Sequence, residues 1–159
     1  MNENNIQTIN RMSDDETDIR ALIIFLNEIN ASFPVSLSEK IQIDEYAKKV
    51  LRLGLVMKME QNNEIIGIIT GYVNDTVTGN GYISVLGVSE HHRGKKIGSR
   101  LLQSFIDQAR IEGMKKLSLF THKDNQNALN MYLNHGFSPD DSISKNYSYD
   151  IALTLNLTT

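Results

Sequence analysis

Val88–Leu102 reads VSEHHRGKKIGSRLL, a strand end that runs into a basic, glycine-bearing turn and then directly into an amphipathic helix. The turn supplies Arg93, Gly94, Lys95, Lys96 and Gly98. The helix after it points its unsatisfied first-turn N–H groups, and the positive end of its dipole, at whatever lies in front. A phosphate or pyrophosphate fits such a place. No Lys-Ser/Thr pair follows Gly98, so the P-loop pattern fails, and no Gly-x-Gly-x-x-Gly run marks a dinucleotide fold. The anion is therefore not a nucleoside triphosphate held in the usual way. Taken alone, the turn is equally compatible with a basic loop that is only solvated.

Working outward, the chain alternates strand and helix signals. Ile6–Ile9 reads as a first strand. Ser13–Glu16, SDDE, reads as an N-cap and capping box opening a helix with Ile19, Leu22, Ile23, Leu26 and Ile29 at helical spacing. A second helix fits Ser38–Leu53, with Ile41, Tyr46, Val50 and Leu53 facing inward and Gly54 as its stop. Leu55–Glu60 and Glu64–Tyr72 read as a hairpin, and Gly81–Val88 as the next strand. Ile97, Leu101, Leu102, Phe105, Ile106 and Ala109 define a helix ended near Gly113. Leu117–Phe120 is a buried strand, Gln126–His135 a helix, and Tyr147–Leu155 a last strand with apolar odd and polar even positions. The sum is an α/β chain of the α+β type, a mixed and largely antiparallel sheet with helices on both faces.

Composition bounds the rest. The 159 residues, 40% of them apolar, suit a single domain spanning the whole chain. A net charge of −3 argues against a nucleic-acid binder, which needs a basic face, and favours one small anion on a local turn. Without cysteine, thiolate catalysis and Cys-based zinc sites are excluded, and the four histidines show no ligand spacing, so no metal is expected. The longest apolar run, Ala21–Leu26, is far too short to span a bilayer, and the N-terminus has no signal pattern. A cytoplasmic protein with no membrane partner is the expectation. The alternating last strand offers an edge for a homodimer.

A second motif lies downstream, NQNALNMYLNHGF from Asn125 to Phe137. Together with HHRGKKIG it resembles the GNAT superfamily of N-acetyltransferases, which use an acyl-coenzyme A donor. Asn125, Ala128, Tyr132, Gly136 and Phe137 match the family's Asn-x-x-Ala-x-x-x-Tyr-x-x-x-Gly-Phe helix at every position. In the pyrophosphate turn Arg93 and Gly94 match, whereas His91 stands where Gln or Arg is usual and Lys96 where a small residue is usual. A lysine there restricts the backbone, although its charge can compensate. The two motifs cover roughly Gly81 to Phe137.

The resemblance implies acetyl-CoA as cosubstrate and acetyl transfer to a primary amine of a small molecule or peptide, by direct attack in a ternary complex. It implies that the pyrophosphate lies on Arg93, Gly94, Lys95, Lys96, Ile97, Gly98 and Ser99, with the pantetheine arm along Leu86, Gly87 and Val88. Gly87 suggests a bulge that opens a slot and leaves the Val88 N–H free as oxyanion donor, or else a loosened strand end. Tyr132 is the implied general acid, with a buried packing role as its alternative. Asn125 bonds the cofactor or caps its helix. Asn30, Ser32, Phe33, Tyr72 and Asn74 lie on segments that would roof the acceptor.

No carboxylate stands on the Gly81–Val88 strand, so the base is either a water held by Ser84 or backbone carbonyls, or His122. That gap, with Lys96, supports an alternative in which the domain binds acetyl-CoA as a regulatory module on a protein partner and transfers nothing.

Overall fold

The computed structural model describes residues 6–158. Seven strands form one sheet in the order β1 (Gln7–Arg11), β2 (Leu55–Gln61), β3 (Glu64–Tyr72), β4 (Asn80–Val88), β5 (Lys116–His122), β7 (Asp150–Asn156) and β6 (Ser138–Pro139). Only the β4–β5 pair is parallel. The hairpin between β2 and β3 turns on Asn62 and Asn63, both in the left-handed region with φ of 56° and 62°, as a two-residue turn matched to strand twist requires.

Helices cover both faces. On one, α1 (Glu16–Ile29) and α2 (Ile43–Leu53) pack Leu22, Phe25, Leu26, Ile29, Ala47 and Val50 against Val56, Ile68 and Val85. On the other, α3 (Ile97–Ile111) and α4 (Gln126–Asn134) pack Leu101, Leu102, Phe105 and Tyr132 against Leu55, Ile69, Ile83, Leu117 and Leu153. None of these helices is long and apolar enough to cross a membrane.

Several boundaries differ from the sequence expectation, each for a local reason. The N-cap of α1 is Asp15, not Ser13: its carboxylate accepts the Asp18 N–H at 2.8 Å, while the Asp18 carboxylate returns to the Ser13 N–H at 2.8 Å. The Asp18 N–H, and after it the Ser13 hydroxyl, hold the Asp15 pKa below the usual carboxylate value. α2 begins at Ile43 because Leu37–Glu39 closes a separate tight turn, and its buried positions are Ile43, Ala47, Val50 and Leu51. Leu53, expected inward, is exposed at the helix end. The last strand begins at Asp150, pairs with β5 along its length and is covered by β6 only at Leu153 and Thr154.

The β-bulge is also displaced. Gly87 pairs in register with Ile68, and the irregularity falls instead where Thr70 opposes Val85 and Gly71 opposes Ile83, leaving Ser84 as the extra residue. Gly87 serves close packing: a Cβ there would stand 2.3 Å from Cδ1 of the buried Ile29. The C-terminal turn of α1 thus rests directly on β4. We expect G87A to lose about 1–3 kcal/mol of stability by overpacking, and I29V, which removes that Cδ1, to restore most of the loss in the double variant. Chemical denaturation of the four proteins checks this, and an additive pair would show that the contact is not the cause.

Candidate active site

β5 pairs with β4 only at Asn80, Gly81 and Tyr82, and beyond Tyr82 the two strands part. The exposed edge of β4 follows from its pairing with β3. Ser89 donates its N–H to the Ile66 carbonyl at 2.8 Å, so strand alternation turns the Val88 and Leu86 backbone groups the other way, into the gap. Val88 and Leu86 also pack their side chains toward α3 and α4.

The bulge at Ser84 is closed by side chains. Val85 N–H donates to Thr70 Oγ1 at 3.1 Å, Thr70 Oγ1 lies 2.6 Å from the Tyr46 hydroxyl, and Tyr46 donates to Ser84 Oγ at 2.7 Å. Burial pushes the Tyr46 pKa up to about 12, so this phenol keeps its proton across the working range.

The basic turn meets the far end of the gap. Gly94 has φ of +77° with open space around it, and Lys96 adopts φ of +62° as N-cap of α3 without a side-chain cap. Lys96 thus takes the left-handed conformation that glycine adopts freely. Arg100 is the first residue of α3 to return a hydrogen bond, to the Lys96 carbonyl at 3.1 Å, so the N–H groups of Ile97, Gly98 and Ser99 are free for an anion. By contrast, α1 and α4 both carry side-chain caps. Gly98 faces the gap: a Cβ there would stand 3.4 Å from Met131 Sδ and 3.8 Å from Val88 Cγ2.

Tyr132, 7% exposed, packs edge-on against Phe137 at 5.8 Å. Burial, with the Tyr82 phenol adding to it, raises its pKa well above the usual tyrosine value. Among the described residues its hydroxyl has no hydrogen-bond partner, and no enclosed side-chain oxygen lacks one, so the phenol oxygen reaches open space.

The family pattern described as "Acetyltransferase (GNAT) family" matches residues 22–137. The chain belongs to the GNAT acetyltransferase family. Acetyl-CoA is the acyl donor that this family uses. Over 106 residues it is 26% identical to the mycothiol acetyltransferase of Renibacterium salmoninarum, covering 65% of this chain and 31% of that protein. It thus spans about a third of that relative's length. Among solved structures, the PaiA N-acetyltransferase of Thermoplasma acidophilum in complex with coenzyme A superposes with a TM-score of 0.71 at 16% identity, covering 95% of this chain and 99% of that one. A GNAT-family acetyltransferase from Streptococcus pneumoniae superposes at 0.73 with 19% identity, over 94% and 97%. These likenesses establish the fold.

Within this GNAT domain, other expected site residues take different places. Arg93 turns back from the phosphate side, donating to the Val88 carbonyl at 3.3 Å and to Ser32 Oγ at 2.6 Å, while Lys95 and Lys96 are exposed. Ser99 Oγ contacts His135 Nε2 at 3.2 Å, and His135 Nδ1 contacts the Met131 carbonyl at 2.8 Å. A carbonyl only accepts, so Nδ1 carries a proton and donates it to Met131, while Nε2 faces the Ser99 hydroxyl. Asn125 caps α4 through the Ala128 N–H at 3.4 Å.

On the acceptor side, Phe33 lies beside Gly87, and Tyr72 pairs with Tyr82 on the α1–α2 face. Asn30 is committed to Ser38, through its amide and through the Ser38 N–H at 2.8 Å. Asn74 donates to the Leu53 carbonyl at 3.1 Å and so finishes α2. His122 accepts the Asp124 N–H on Nδ1 at 3.0 Å, which leaves a donor on Nε2 and no free lone pair for a base. Tyr82, Phe120 and Asp150 were not anticipated; the period-2 pattern of β5 and β7 places Phe120 and Asp150 on one face, but only the strand order brings that face to the gap. No group of three or more His, Asp or Glu among the described residues could hold a metal ion.

K96G removes the strained φ at the cost of extra unfolded-chain freedom, so we expect an unfolding free energy at or above the parent's, by up to about 1 kcal/mol, with K96A at or below it. Both lose the same charge and should weaken coenzyme A binding alike, severalfold in a calorimetric titration. Equal stability of K96A and K96G would mean that Lys96 is unstrained.

Proposed function

We propose that this domain transfers the acetyl group of acetyl-CoA to a primary amine by direct attack in a ternary complex, with Val88 and Tyr132 as its catalytic residues. The observation that carries this reading is that the outward-turned Val88 N–H edges the gap on one strand while an unpartnered, protonated phenol stands by it on α4. The first-turn amides of Ile97, Gly98 and Ser99 would hold the pyrophosphate, with Lys95 and Lys96 adding charge. Leu86, Gly87 and Val88 would line the pantetheine arm.

The chemistry follows from these groups. As the amine attacks the thioester carbonyl, negative charge grows on its oxygen, and the Val88 N–H is aimed to receive it. Collapse expels a thiolate, to which the Tyr132 hydroxyl donates a hydrogen bond or its proton, which solvent then replaces; the raised pKa keeps the phenol protonated until then. The amine must arrive or become neutral, and Ser84, at the end of the Tyr46 hydrogen-bond chain, is placed to hold a water that carries the proton away.

Thiol release from acetyl-CoA across a panel of amines, amino acids, aminoglycosides and peptides tests transfer itself, and no release above hydrolysis with any of them would overturn it. With a true acceptor, Y132F keeps the ring and its packing, so it should fold and bind donor normally. Turnover should fall by about ten- to a thousandfold, because a thiol of pKa about 8.5 is only a moderately basic leaving group. Parental turnover would make Tyr132 a packing residue. G98A should bind donor nearly as the parent does, whereas the larger side chain of G98L should weaken binding by about tenfold or more by filling the gap.

A further inference from the structure

Asp150 is a carboxylate that the reaction as described does not use. It is 6% exposed, and among the described residues it has neither an ion-pair nor a hydrogen-bond partner for its side chain. Since no enclosed side-chain oxygen of the set lacks a partner, its carboxylate opens on a recess. Burial of an unpaired carboxylate is costly, and a cation that enters to meet it is correspondingly favoured.

The strand register says where that recess lies. Tyr82 pairs with Ser118, so four residues further along both strands Leu86 comes level with His122, give or take the one extra residue at Ser84. The β7 partner of His122 is Asp150. The carboxylate therefore stands in the same row as Leu86–Val88, two strands across, which at the usual strand spacing is roughly 10 Å and more where the strands part. That is too far to take a proton directly from an amine at the thioester. It is the right distance for a second charge on the same molecule.

The walls between are aromatic. Tyr82 and Phe120 meet edge to face at 6.2 Å on the same side of the sheet, His122 stacks on Tyr149 at 4.6 Å, and Tyr149 on Tyr147 at 5.1 Å. Burial, and after it the Asp150 charge, raises the pKa of both Tyr82 and Tyr149. The protein itself seats an ammonium on this surface: Lys40 Nζ lies 5.3 Å from the centres of both the Tyr147 and Tyr149 rings.

We propose that Asp150 and the rings of Tyr82, Phe120 and Tyr149 form a specificity site for a second positive charge on the acceptor, so that the amine acetylated belongs to a dicationic, diamine-like molecule. The proposal rests on the reading that the acyl donor occupies the gap between β4 and β5.

Three probes of one chain length separate the charge from everything else: cadaverine with a distal ammonium, pentylamine with a methyl, and δ-aminovalerate with a carboxylate. Calorimetric titration of the parent should give cadaverine about tenfold or more tighter than pentylamine, and δ-aminovalerate weakest. D150N should bring cadaverine and pentylamine together, and D150E, which keeps the charge, should retain a preference. Equal binding of the three by the parent, no cadaverine binding, or an undiminished preference in D150N would each overturn the proposal. The parent series needs no variant to fold. Because the recess is built from protein groups alone, the titrations are run with and without coenzyme A. Failure of coenzyme A itself to bind would reject the donor reading, while the ranking of the amines judges Asp150 separately.

Discussion

The parting of β4 from β5 beyond Tyr82 is the constraint on which the rest of the molecule depends. A parallel pair that opens in mid-sheet leaves N–H and C=O groups unpaired inside the fold, and unpaired buried backbone groups cost of order 1–3 kcal/mol each. This domain keeps the opening because packing holds it from both sides. The end of α1 presses on β4 at Gly87, and α3 and α4 press on the opposite face through Leu101, Phe105 and Tyr132. On the proposed reading, the groups left over, Val88 N–H above all, are the ones a linear thioester substrate would use.

Ser84 makes that opening tolerable. A bulge rotates the strand after it and so aims Leu86 and Val88 outward, but it also strands polar groups at the site of the extra residue. Thr70 and Tyr46 take them up, with Tyr46 reaching from α2 across the sheet. The delayed start of α2 belongs to the same arrangement. By spending Leu37–Glu39 on a separate turn, the chain sets the helix at Ile43 with Ala47 and Val50 inward and the Tyr46 hydroxyl over the bulge.

Much of this was legible in the sequence, and what was not shares one cause. The strand–turn–helix of Val88–Leu102 and the Asn125–Phe137 helix carry local patterns, periodicity and capping chemistry that work within a few residues, and they identify the family and the two main elements of the site. Gly87 reads from sequence as a bulge or a loosened strand end, but glycine in a strand also serves close approach. Only the position of Ile29, far away in sequence, distinguishes them. The N-cap moved from Ser13 to Asp15 because three adjacent polar residues compete for the same N–H groups. Asp150 read as an ordinary polar position of an alternating strand. Its place opposite His122, level with the gap, comes from the strand order β4-β5-β7, and strand order is not a local property.

Departures from the family's turn become intelligible on the same grounds. An anion held by the N–H groups of Ile97, Gly98 and Ser99 is held by backbone, so the turn must deliver a shape and an unobstructed approach more than particular side chains. Gly94 supplies the first left-handed residue and Gly98 the approach, and both are kept. Lys96 forces the second left-handed residue at some conformational cost, and being exposed it places a charge beside the free amides. Arg93 meanwhile is free to do something structural, tying the end of β4 to Ser32 after α1. With the basic side chain of the motif spent on holding the gap's rim, the exposed lysines would, on the proposed reading, carry the charge that the arginine would have offered, and the backbone geometry, not the lettering of the motif, is what the turn preserves.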